Sequence, residues 1–134
     1  MLMLEDIRTY VGSLGISEDD RTYIGKLDNK QEHSIGVYPR KGDGPPIIPL
    51  GGRENSSYDV KRISLLAHWD KDISESEAAA CELYKKLEKI SSLIMGDTHI
   101  NFVILQVPEP VYVGTDDNGV HEYVIWLDFV YQRK

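Results

Sequence analysis

The last stretch of the chain constrains its fold most. Read as an extended strand, residues 120–131 put Tyr123, Ile125, Leu127, Phe129 and Tyr131 on one side, with Val124, Trp126, Asp128 and Val130 on the other. Both sides are largely apolar. A strand that faces water on one side alternates apolar with polar residues, so one that is apolar on both is central in its domain or covered by a partner. Such a strand needs neighbours along its edges and a second layer over at least one face.

The rest of the sequence supplies candidates for both. Residues 3–14 place Leu4, Ile7, Val11 and Leu14 on one helical face, with Gly15 as the stop. Two β-rich runs, 22–27 and 34–38, flank Asp28-Asn29-Lys30 and read as a hairpin. A long strand is expected over 57–69, with Ile63, Leu65, Ala67 and Trp69 on one face and Tyr58, Val60 and Leu66 on the other. Ser74 and Glu77 stand at capping-box spacing and predict a helix running to about Met95, with Gly96 ending it. Ala80, Leu83, Leu87, Ile90 and Ile94 form its apolar stripe, and Glu82 stands four residues before Lys86 as an exposed pair. Residues 100–107 read as a strand stopped by Pro108 and Pro110, and 111–113 pair back with Val120 onward across Asp116-Asp117-Asn118-Gly119. This order describes an α+β fold, a mainly antiparallel sheet with two helices packed on one face. At 134 residues, with no internal repeat, the expectation is a single domain over 1–134.

One segment stands apart in composition. Pro39, Gly42, Gly44, Pro45, Pro46, Pro49, Gly51 and Gly52 leave too few amide donors for a central strand and too little propensity for a helix. A long Gly/Pro-rich loop is expected at about 39–57, and loops of that length in compact domains are usually functional or disordered. It carries Arg40, Lys41, Ile47, Ile48 and Arg53, and the Ile47-Ile48 pair is unusual in a purely solvated linker. These five and Trp126 are the candidate interface residues, because Trp and Arg tend to dominate the energetics of protein contacts. Ile47 and Ile48 are expected to anchor the loop on a neighbour.

Little else in the chain suggests chemistry. Fifteen Lys and Arg against 22 Asp and Glu give a net charge of −7, which phosphate backbones repel, so no direct nucleic-acid binding is expected. The single cysteine, Cys81, has no internal disulfide partner, which fits a reducing compartment. Met1-Leu2-Met3-Leu4 runs straight into Glu5 and Asp6, unlike a signal peptide, and no apolar run approaches the roughly 20 residues a bilayer needs. A soluble cytoplasmic protein without a membrane partner is expected. His33, His68, His99 and His121 are scattered singly, and His68 with Asp70 and Asp72 reads as a strand end entering a polar turn. Asp116-Asp117-Asn118-Gly119 has part of the spacing of a calcium loop, but the outer ligand positions hold Gly114 and Ile125, so a hairpin turn explains it better. The glycines of 42–52 are followed by no Lys-Ser or Lys-Thr and open no helix, so they form no phosphate cradle. Cys81, beside Ala80 near the helix stripe, is expected to act as a small hydrophobe. No catalytic, cofactor-binding or metal-ligating residue is assigned, no cofactor is expected, and an enzyme has no positive support.

Several runs together resemble a known family. Ile24-Gly25-Lys26-Leu27, Ile35-Gly36-Val37-Tyr38, Gly51-Gly52 and Tyr58-Asp59-Val60-Lys61 follow one another at telling intervals. With the strand over 63–69, Glu77-Ala78-Ala79-Ala80 leading a helix to Leu87, and the closing Asp128-Phe129, the chain resembles a phage minor capsid family similar to the tail terminator proteins of long-tailed phages. The resemblance runs from about residue 20 to the end. It implies a structural virion protein that caps the head-proximal end of the tail tube as a ring, commonly of six subunits, on an α+β fold. Implied partners are further copies of the chain, the tail tube protein and the head–tail connector protein. The implied location is the virion, and the host cytoplasm during assembly. No catalytic residue comes with the resemblance, and the loop after Tyr38 is its implied contact arm. A head–tail connector or stopper, a small protein-binding adaptor unrelated to virions, and a small α+β enzyme are the competing readings.

Overall fold

The computed structural model describes residues 1–25, 31–41 and 57–133. Its elements are helix α1 (Leu4–Gly12), a short 3₁₀ turn (Asp19–Arg21), strands β1 (Thr22–Ile24), β2 (Ser34–Pro39) and β3 (Tyr58–His68), and helix α2 (Ile73–Glu88). Strands β4 (Ser91–Met95), β5 (Thr98–Leu105), β6 (Val111–Thr115) and β7 (His121–Gln132) follow. The strands form one sheet in the order β1-β2-β3-β7-β5-β4, and β6 also pairs with β7.

The doubly apolar C-terminal run is indeed central. One edge of β7 pairs with β3 along its whole length, from Tyr58↔Gln132 to His68↔Glu122. Its other edge is divided: β5 pairs with the stretch from Leu127 to Tyr131, and β6 with the stretch from His121 to Val124. Pro108 and Pro110 explain the break, since neither can donate to a ladder, and the last bond before them runs from the Gln106 amide to the Trp126 carbonyl at 2.8 Å.

Alternation then sorts the side chains. Tyr123, Ile125, Leu127, Phe129 and Tyr131 are all buried. Ladder register places Ile63, Leu65 and Ala67 of β3 and Ile35 and Val37 of β2 on that same face. Leu2, Ile7 and Val11 at the N-terminus and Ala79, Leu83 and Leu87 of α2 join the same core cluster. Each fully buried Leu, Ile or Phe contributes about 1.5–3 kcal/mol relative to exposure, so this face drives folding.

Four expectations need correction. β1 and β2 pair in parallel, Thr22↔Ile35 to Ile24↔Val37, so they form no hairpin and the sheet is mixed; every other pairing among the described residues is antiparallel. A period of two reports the face of a strand but not its direction. The first residue of β1 is tied to α1 and its following turn: Arg8 Nε donates to the Thr22 carbonyl at 2.9 Å, and Ser17 Oγ meets Thr22 Oγ1 at 3.0 Å. The expected turn at Asp28-Asn29-Lys30 lies outside the described residues. Second, α2 stops at Glu88, and the stretch expected to continue it is β4, paired with β5 from Ser91↔Phe102 to Met95↔Thr98. Ile90 keeps its core place, whereas Ile94 is 69% exposed. Third, Asp72 caps α2 by accepting from the Ser74 amide at 2.9 Å, in place of the Ser74–Glu77 box. Gly96, with φ at +61°, turns the β4–β5 hairpin. Fourth, Lys86 donates its ammonium to the Leu14 carbonyl at 2.7 Å, tying α2 to the end of α1.

Candidate functional site

The second face of the sheet is also patterned by register. Trp126, Asp128 and Val130 of β7 stand opposite Ser64, Arg62 and Val60 of β3, while Ile104 and Phe102 of β5 stand opposite Asp128 and Val130. Among the large apolar side chains well exposed on this face are Tyr58 at 42%, Phe102 at 48%, Ile104 at 44% and Trp126 at 44%. A single exposed apolar residue is ordinary, but neighbouring ones on one face mark a contact surface. Phe102 and Ile104 reach it because β5 carries a bulge. Between Ile100 and Phe102 the register with β7 shifts by one residue. Without it, strict alternation would send both inward with Ile100.

A polar group lies at the centre of this face. Asp128 is buried, and both of its carboxylate oxygens are engaged: Oδ1 by the Arg40 guanidinium, and Oδ2 by Gln106 Nε2 at 2.9 Å. Arg40 is itself held by its backbone amide, which donates to the Arg62 carbonyl at 3.0 Å. Around this group is a shallow concavity of about 300 Å³ lined by Arg40, Lys41, Arg62, Gln106, Trp126 and Asp128. Three of those side chains are cationic and one is anionic, and the anion is already paired. Among the described residues neither Arg62 nor Lys41 has a carboxylate partner. A locally basic hollow thus sits in a chain of net charge −7.

Three of the six residues expected at an interface, Arg40, Lys41 and Trp126, line this one hollow. Ile47, Ile48 and Arg53 lie outside the described residues, as does the 42–56 part of the expected loop. Arg62, Gln106, Phe102 and Ile104 escape the sequence reading. A signal for the hollow does exist: Asp128 is the one acid between Val124 and Val130 on that face of the strand, and a buried carboxylate requires a cation or several donors.

The far end of the sheet holds a second polar group. Buried His68 meets Glu122 Oε2 through Nδ1 at 2.9 Å and approaches Asp116 Oδ2 to 3.5 Å, which ties β3 to the β6–β7 hairpin. Asp116 Oδ1 also accepts from the Asn118 and Val120 amides at 2.9 and 3.0 Å, the turn expected of that tetrad. His33 stacks on Trp69 with ring centroids 4.6 Å apart and bonds Asp70 at 2.9 Å, which holds the Asp70 carboxyl below its ordinary pKa. Asp70 and Asp72 therefore serve His33 and the α2 cap, not His68. Among the described residues, Glu32, His33 and Asp70 bring three ligand atoms within 4.8 Å of one another, but the set is open to solvent and already hydrogen-bonded internally. Cys81 is half-buried and free. Among the described residues no helix is long and apolar enough to cross a membrane.

Comparison with known proteins adds one finding. The family model described as bacteriophage tail terminator protein matches residues 10–133 of this chain. No curated protein and no solved structure matches it.

Proposed function

The chain belongs to the bacteriophage tail terminator family, whose members are structural tail proteins, and from that membership we propose that it closes as a ring on the head-proximal end of the tail tube. There it stops tube growth and offers a surface to the head–tail connector. The observation that carries this reading is the second sheet face, which exposes Tyr58, Phe102, Ile104 and Trp126 and holds a basic hollow. Residues of both helices join the core cluster of the opposite face. A ring forms by head-to-tail contacts when the rotation per subunit closes, so each subunit must present two different, complementary patches. The second sheet face is one of them. In this reading the Gly/Pro-rich segment at about 39–57, with Ile47, Ile48 and Arg53, is the contact arm that reaches a neighbouring subunit.

The experiment is to polymerise the tail tube protein with and without this chain and to image the products by negative-stain electron microscopy. Capping gives shorter tubes with added density at one end. Tubes that elongate as freely with the chain as without it, and carry no end density, would overturn the proposal.

A further inference from the structure

We propose that the hollow beside Asp128 receives the side-chain carboxylate of an Asp or Glu from a neighbouring copy of this chain. The proposal rests on the ring reading above and names the chemistry of one of its contacts.

The hollow is built for an acidic group. Asp128 pairs with Arg40 and Gln106, and among the described residues no ion pair joins it to Arg62, which stands directly opposite it in the ladder. Arg62 is only half-exposed and is fixed in the middle of a long strand, and Lys41 stands at the rim. A half-buried guanidinium with no carboxylate partner favours a planar, charged acceptor, and a carboxylate can bond two of its N–H groups at once. Trp126 forms one wall. Its ring would cover the methylene stem of an incoming Asp or Glu and exclude water, and an ion pair strengthens as water leaves.

Charge complementarity favours a second copy as the occupant. Two chains of net charge −7 repel each other at long range, so their association needs local contacts of opposite sign. The chain offers acidic surface in abundance, with Glu18, Asp20, Glu75 and Asp117 all exposed. An acidic patch on one copy docked into the basic hollow of the next is the kind of non-identical pairing that a head-to-tail ring requires.

Zero-length carbodiimide cross-linking tests this directly, since it joins an amine to a carboxylate only when the two are in contact. Isotopically labelled and unlabelled chains are mixed, assembled, treated and analysed by peptide mass spectrometry. The expected product is an amide between Lys41 Nζ and an Asp or Glu of the other isotopic form. In parallel, Lys41→Glu and Arg62→Ala should each raise the concentration needed for assembly at least tenfold, with melting temperatures unchanged. Lys41 lies on the exposed rim, so its substitution tests the contact even if Arg62→Ala disturbs folding. Assembly that persists in both variants, with Lys41 joined only to its own chain or to nothing, overturns the assignment while leaving the ring intact. A wild-type chain that does not self-assemble overturns the ring and the assignment together.

Discussion

Neighbouring residues of β7 have opposite jobs. Leu127 is fully buried among strands and helices, whereas Trp126 points to the second face and is nearly half exposed. Leu127→Ala should cost about 2–5 kcal/mol, because the lost transfer energy is joined by a cavity that the core cannot fully close. Trp126→Ala should shift stability by no more than about 0.5 kcal/mol, since it empties no core space. Urea unfolding of the two variants checks the pair. Asp70 supplies a different residue-scale prediction. The His33 hydrogen bond, aided by the Asp72 amide, holds its folded pKa below the ordinary 3.8. A depressed carboxylate stabilises the fold above that ordinary value, and the contribution is lost as pH falls through the lower, folded one. Asp70→Asn should therefore lower the melting temperature at neutral pH and flatten its fall below about pH 4, as read by thermal melts across pH.

Element boundaries were the least legible part of the sequence, for physical reasons that differ from case to case. The central strand could be read because its apolar pattern on both faces leaves few placements. The end of α2 could not, because Ile90 and Ile94 extend the three- and four-residue spacing of its stripe, while the winning interaction is pairing of Leu93 and Met95 with Ile100 and Thr98 on β5. The parallel direction of β1 is not encoded by its period of two, and its anchors, bonds from Arg8 and Ser17 to Thr22, come from outside the strand. The β5 bulge is silent in sequence because an inserted residue changes facing without changing composition, and it conceals Phe102 and Ile104 as surface residues. Half of the candidate site was legible for the same reason: Arg40, Lys41 and Trp126 stand out by residue type, while Arg62 and Gln106 become partners of the hollow only through ladder register. Two substitutions test these element ends. Asp72→Ala removes the acceptor of the Ser74 amide and should cost about 1 kcal/mol in urea unfolding. Gly96→Ala combines a φ of +61° with a Cβ placed 2.5 Å from Asp6 Oδ1. It should destabilise the chain by about 1–2 kcal/mol by loosening the β4–β5 turn against the start of α1.

At the scale of the molecule, one face of the sheet carries the core, and the other is the face we propose for partners. That proposal places specificity in the exposed apolar side chains of the second face and in the Arg40–Asp128 pair set among its strands. It also separates stability from assembly, so variants of the second face should lose one and keep the other. The most direct measurement is molar mass by light scattering after size exclusion, for the wild type and Trp126→Ala, over a wide concentration range. The wild type should give a discrete ring-sized multiple of 15.2 kDa, and Trp126→Ala should run at 15.2 kDa itself with an unchanged melting temperature. A wild-type chain that stays at 15.2 kDa throughout, or a variant that assembles as the wild type does, would contradict the assignment of this face to ring assembly.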